Sequence, residues 1–189
     1  MNLFDILLHL EGDDSLHMSR LLVLLKVFAG RNGSGTVEGI TKLAKLDFLL
    51  RYPVWLKKSL IARGQTLKTA AADVGKVAVK TYEMHSVESA MVRYRYGPWD
   101  FRYRRFLNLL VSKGLVWVKI EGRTINIGLT EKGFDTAKQL QQDSAFKDLN
   151  ARASIIKRNF NINGTALMKF IYATFPELSS MRFGEKIKS

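Results

Sequence analysis

A chain of 189 residues, 47% of them apolar, is long enough to bury one full core and too apolar to remain disordered. Its formal charge of +13 and pI near 10 point to a polyanionic partner: DNA, RNA or an acidic protein surface. It has no cysteine, which excludes disulfides and thiolate metal ligands and fits a reducing compartment.

The charge is uneven. Met1 to Met18 contain Asp5, Glu11, Asp13 and Asp14 and neither Lys nor Arg, so residues 1–18 read as an acidic leader: a solvated tail, a cover for the basic surface, or a ligand for a basic patch on a neighbour. An acidic start does not suit a secretory signal. The longest apolar run, Leu21 to Ala29, is interrupted by Lys26 and is far too short to span a bilayer, so a cytoplasmic protein without a membrane partner is expected.

The first helix is predicted over Met18–Ala29, with Ser19 as N-cap and Leu21, Leu22, Leu25 and Phe28 on one face. The glycine-rich loop after it, Gly30 to Thr36, lacks the Lys of a phosphate-cradling loop and follows a helix where such a loop follows a strand. Ile40 to Tyr52 is the second helix. Its apolar positions, Ile40, Leu43, Ala44, Leu46, Leu49 and Leu50, cover an arc wide enough to be buried on more than one side. Asp47 lies within that arc, one turn before Arg51, and is expected to form an ion pair at the helix edge. Pro53 breaks the helix, and Val54 to Arg63 resumes with Leu56, Leu60 and Ile61 on a common face. Residues 65–85 show the least pattern and read as an insertion: a mobile loop, a helix with a β segment, or a partner-binding element.

Tyr96 to Gly133 is the most patterned stretch. Pro98 suits the first position of a helix, and Trp99, Tyr103, Phe106, Leu107 and Leu110 then recur on one helical face. Gly114 stops the helix. Val116, Val118 and Ile120 next alternate with Trp117 and Lys119, Glu121-Gly122-Arg123 turns, and Thr124 to Leu129 returns as a second strand. Helix, glycine, hairpin is the signature of a winged helix. Beyond it, Thr130 caps a helix through Leu140, Phe146 to Phe160 continues as an amphipathic helix, and Thr165 to Phe175 is a strongly apolar helix stopped by Pro176. The expected fold is α+β, mainly α: a winged helix-turn-helix over 19–133, with an insertion before the recognition helix, and a C-terminal helical extension over 134–189.

Reaction chemistry is sparse. His9, His17 and His85 have no metal-ligand spacing, no Ser sits in a nucleophile elbow, and the acidic residues are few and scattered. No catalytic residue, metal, cofactor or small-molecule substrate is therefore expected. Binding chemistry is richer. The outer face of the proposed recognition helix carries Phe101, Arg105, Asn108 and Ser112, with Arg102 and Arg104 at its edges. Arg can fork onto phosphate or guanine and Asn onto adenine. Lys119 and the wing-tip Arg123 would add phosphate contacts, and an acidic protein patch is the other partner these cations could meet. Arg93, Tyr94, Arg95 and Tyr96 extend the strip toward the N-terminal side. Tyr94, Tyr96 and Trp99 are aromatic anchors suited to an interface, and Leu167, Phe170, Ile171 and Phe175 form an apolar face that needs covering.

Four phrases carry a family resemblance: GITKLAKLDFLLRYP (Gly39 to Pro53), SVESAMVRYRYGPWDFRYRRFLNLL (Ser86 to Leu110), LVWVKIEGRTINIGLTEKG (Leu115 to Gly133) and LMKFIYATFPEL (Leu167 to Leu178). Together they resemble the small middle component of bacterial ABC-type three-component systems, the group that includes Lamassu-like anti-phage and anti-plasmid defence. The resemblance implies a non-enzymatic, kite-like winged-helix adaptor joining an SMC/Rad50-like ATPase to a nuclease-type effector, with non-specific contact to duplex DNA. A free-standing winged-helix transcription regulator is the second expectation. It would need a dimer to read two half-sites; no heptad run long enough for a coiled-coil seam is present, which leaves a helical-bundle dimer through Thr165–Phe175.

Overall fold

The computed structural model describes residues 14–84 and 90–188; leader residues 1–13, including His9, and residues 85–89, including His85, lie outside the described residues. The chain is mainly helical with a small antiparallel sheet. Helix α1 (Asp14–Ala29) is already helical at Asp14, so Ser19 sits inside it and does not cap it. Leu21 through Leu25 are all buried, because α1 is wrapped by later elements on several sides. Strand β1 (Val37–Glu38) leads into α2 (Ile40–Arg51), the central helix, with every residue from Lys42 to Arg51 buried. The broad apolar arc anticipated this burial, and it now includes charged residues whose partners matter below.

Helix α3 (Pro53–Gly64) starts on Pro53, whose missing N–H has no intrahelical acceptor at that position. Leu56 and Leu60 face inward, whereas Ile61 is exposed, a correction to their expected common face. The weakly patterned 65–85 region contains helix α4 (Lys68–Asp73) and 3-10 turns at Val74–Lys76 and Thr81–Met84. Ion pairs from the C-terminal part hold it in place. Arg152 forks onto Glu83 at 2.6 and 2.7 Å and donates to the Ala78 carbonyl at 2.7 Å. Asp73 receives Arg158 at 2.8 Å and Asn159 at 2.9 Å.

Strands β2 (Val92–Tyr94) and β3 (Gly97–Trp99) form a short antiparallel hairpin. Pro98 therefore lies in a strand opposite Arg93 and does not open the next helix. Its missing donor is tolerated in a strand this short. Trp99 is likewise a hairpin residue and not part of a helical face. Residues 184–187 close the hairpin from the far end of the chain: Arg93 N–H donates to the Glu185 carbonyl and Ile187 N–H to the Met91 carbonyl, each at 2.8 Å. The buried Tyr52 hydroxyl accepts from Met91 N–H at 2.8 Å and donates to the Ile187 carbonyl at 3.1 Å, tying α2 to both.

Helix α5 (Tyr103–Ser112) follows and stops at Gly114, whose φ of 67° is the left-handed conformation a side chain disfavours. Strands β4 (Val116–Glu121) and β5 (Thr124–Leu129) pair in register from Val116 opposite Leu129 to Glu121 opposite Thr124. β1 pairs on the other side of β5, giving the order β1-β5-β4. Helix α6 (Glu131–Gln142) is capped by Thr130, whose hydroxyl accepts from Gly133 N–H at 3.0 Å and donates to the Gly114 carbonyl at 2.7 Å. Gly133 is required here by space: a Cβ would lie 1.8 Å from the Leu115 carbonyl oxygen. Gly133→Ala is expected to cost about 1–3 kcal/mol, measurable as a lower urea midpoint with unchanged slope.

Helices α7 (Lys147–Phe160), α8 (Gly164–Thr174) and α9 (Glu177–Ser180) complete the chain. α7 packs on α1 and α2, and α8 packs on α2 and α3. The C-terminal extension thus forms one wall of the core. Phe175 stands against Trp55 with ring centroids 4.5 Å apart, within an aromatic cluster that includes Phe48 and Tyr52.

Candidate nucleic-acid interface

Helix α5 turns Tyr103, Phe106, Leu107 and Leu110 into the core, leaving Arg104, Arg105 and Asn108 exposed. What fixes the helix is a buried polar chain at its first turn. Asp47 of α2 is fully buried and accepts from Arg20 Nε of α1 at 2.8 Å, from Arg51 Nε at 2.8 Å and from the Tyr103 hydroxyl at 2.6 Å. Arg51 Nη1 also reaches Asp100 at 2.8 Å, and Asp100 receives Arg102 Nε at 3.0 Å and Nη2 at 2.9 Å. Arg20 Nη2 lies 2.8 Å from His17 Nδ1. A guanidinium can only donate, so this imidazole nitrogen accepts and the ring proton sits on Nε2.

Burial alone would push the carboxyl of Asp47 up, but Arg20, Arg51 and the Tyr103 hydroxyl outweigh it and hold the group below its usual range. Asp100 is held down in the same way, burial being overcome by Arg102 and Arg51. His17 is pulled down to about 4, first by burial and then by Arg20, so it is neutral at pH 7. The ion pair expected at a helix edge is therefore the centre of a five-residue charged network joining α1, α2 and the entry to α5.

The sequence-predicted contact residues divide accordingly. Arg104, Arg105 and Asn108 lie on the open face of α5, and Arg123 is exposed at the β4–β5 turn. Arg105 is paired with Asp14 at the start of α1, so part of the acidic leader does meet the basic face. Lys119 is exposed and paired with Glu121 at 2.8 Å. Arg102, expected at an edge of this face, is partly exposed and engaged with Asp100, where it positions the start of α5. Tyr94, Tyr96 and Phe101 form an exposed aromatic strip beside α5, with Trp99 half-buried and stacked near Tyr94. The Tyr94 ring also meets Phe101 and Phe183 edge-on. The second expected partner surface is corrected: Leu167, Ile171 and Phe175 are buried against this chain's own helices, and Phe170 is partly covered by Phe160 and Arg63. An apolar stripe demanded burial, and α2 and α3 supply it.

Sequence reading missed Arg20 and Tyr103 as partners of Asp47, and Asp100 as a second partner of Arg51, although an acid inside an apolar arc was a visible signal for a buried network. It also missed Lys45. Among the described residues, no group of three or more His, Asp or Glu could hold a metal ion, and no helix is long and apolar enough to cross a membrane. No family model, curated protein or solved structure matches this chain.

Proposed function

We propose that this chain is a non-enzymatic winged-helix adaptor that touches duplex DNA with α5 and the β4–β5 hairpin and docks on an SMC/Rad50-like ATPase, linking it to a nuclease-type effector in a defence complex. The observation that carries the DNA part is the rigidly anchored α5, which presents Arg104, Arg105 and Asn108 to solvent. The element order supports the winged helix: α1, β1, α2, then α5 and the β4–β5 hairpin, with β1 completing a three-stranded sheet beside β5. Between α2 and α5 the chain inserts α3, α4 and the β2–β3 hairpin, more than a simple DNA reader carries. The exposed strip of Tyr94, Tyr96 and Phe101 on that insertion supports a protein partner, and the family resemblance supports the ATPase as that partner.

A labelled random duplex titrated at several salt concentrations tests the DNA part. Binding should weaken steeply with salt, because lysine and arginine contacts release counterions. Arg105→Ala and Arg123→Ala should each reduce the logarithmic salt slope by about 1. Salt-insensitive binding, or none at low salt, removes DNA from this reading. Co-expression with an SMC-like ATPase and pull-down tests the adaptor part, with Tyr96→Ala and Phe101→Ala expected to lose the partner while retaining the circular dichroism of the wild type. A monomer that ignores the ATPase sinks it.

One feature favours the dimeric regulator as a second reading. β4 is an edge strand whose Val118 and Ile120 side chains are exposed, a template on which a second copy could pair. A monomer by light scattering at micromolar concentration excludes that reading.

A further inference from the structure

The N-terminal half of α2, the β2–β3 hairpin and the first turn of α5 flank a half-open cavity of about 180 Å³, lined by Thr41, Lys45, Tyr94, Tyr96, Trp99 and Arg104. A dry cavity of about 150 Å³ admits one benzene ring, whereas drug-sized pockets begin near 300 Å³. The space therefore suits a single planar ring.

Its charges are unusual. Lys45 is only 2% exposed, and its Nζ donates to the Thr41 carbonyl at 2.9 Å. Among the described residues no carboxylate pairs with it. Burial, with no compensating acid, lowers this ammonium to about 8. A buried cation lacking a counter-charge gains most when an anion arrives. Arg104, exposed at the cavity rim, also has no acidic partner among the described residues. Aromatic walls with two cations form the combination that binds a base and its phosphate by stacking and charge.

We propose that this cavity takes one unstacked nucleotide, its base against Tyr94, Tyr96 and Trp99 and its phosphate between Lys45 and Arg104. A phosphorylated tyrosine would offer the same ring and charge. The nucleotide is favoured because the exposed face of α5 continues from Arg104 to Arg105 and Asn108, giving neighbouring phosphates somewhere to bind. The proposal rests on the nucleic-acid reading of α5 for this choice of ligand, but not for the cavity's affinity for a ringed phosphate. The nucleotide can be free or part of a single strand.

The test is fluorescence anisotropy on the full chain with labelled oligothymidylate of twelve residues, a labelled blunt duplex and a labelled phosphotyrosine peptide, with unlabelled thymidine monophosphate as competitor. Lys45→Met and Tyr96→Ala should each weaken oligothymidylate binding at least about fivefold while changing duplex affinity less than about twofold. Lys45→Met exchanges a stranded charge for an apolar chain of similar length, so its Tm should hold or rise; if it fails to fold, the exposed Tyr96→Ala decides alone. Displacement by the monophosphate identifies a free nucleotide as sufficient, and binding of the oligomer without displacement identifies a strand; both support the proposal. Equal losses on duplex and single strand, no loss on either, or a Lys45-dependent peptide affinity above that for oligothymidylate overturns it. A variant that loses duplex binding alone overturns it too, whereas a wild type that binds oligothymidylate and no duplex leaves the cavity in place and removes the duplex reading.

Discussion

Asp47→Ala is expected to remove about 3–5 kcal/mol of folding stability, the usual consequence of breaking a buried ion pair on one side. The carboxylate is fully buried and offsets two buried guanidiniums, Arg20 and Arg51, while accepting from the Tyr103 hydroxyl. Its loss takes a buried counter-charge from both cations where water does not readily reach them, although Arg51 keeps its bond to Asp100. A typical domain has only about 5–15 kcal/mol in total, so urea unfolding should show a large fall in midpoint. Asp47→Asn keeps the volume and one acceptor and should fall between wild type and alanine. Tyr103 hangs from this carboxylate, so the surviving folded fraction should also bind duplex more weakly. A change below about 1 kcal/mol would show that the guanidiniums find solvent and that the network does not hold α5 in place.

The second large effect is on acid stability. The gap between the ordinary 6.5 of an imidazole and about 4 for His17 in the fold corresponds to on the order of 3 kcal/mol. The unfolded chain takes up this proton more readily, so stability is complete above about pH 6.5 and declines as pH falls toward 4. Protonation would place an N–H against the Arg20 guanidinium, which itself only donates. Asp47 and Asp100, held below their usual range, add a further loss once pH drops beneath about 3.9, the value expected in the unfolded chain. Urea unfolding of the wild type and His17→Gln at pH 7.0 and 4.5 separates the two ranges. Gln still accepts from Arg20, and the variant should be nearly flat in this window. Parallel losses in both proteins would remove His17 as the cause.

Local chemistry made much of the fold legible. Gly114, the Val116–Ile120 alternation and Thr130 each act through neighbouring residues, and the hairpin and the cap follow from them directly. Pro98 misled because the same fixed φ serves a helix start and a short strand, and only the pairing of Arg93 with Pro98 decides between them. The apolar face of α8 was visible, but periodicity reports that a face is buried and not what buries it. The exposed residues of α5 could be read once the helix was placed. Lys45 could not, because its cavity is assembled from residues 41–45 and 94–104, two segments far apart in sequence. Arg102 looked like its neighbours Arg104 and Arg105, and the side chain of Asp100 alone distinguishes it.

The closure of the β2–β3 hairpin by residues 184–187 bears on the order in which the protein can mature. Arg93 also reaches the Leu178 carbonyl, 85 residues later in the chain. Contacts of such separation carry a loop-closure cost that local hairpin bonds do not, and they slow folding. During synthesis, at about 5–20 residues per second, α1, α2 and α5 emerge seconds before the segment that completes the hairpin. The aromatic strip and the cavity behind it are thus finished late, after the basic helix is already on display. A nascent chain would expose the basic face of α5 before the hairpin beside it is closed, and slower translation near Leu178 would lengthen that interval.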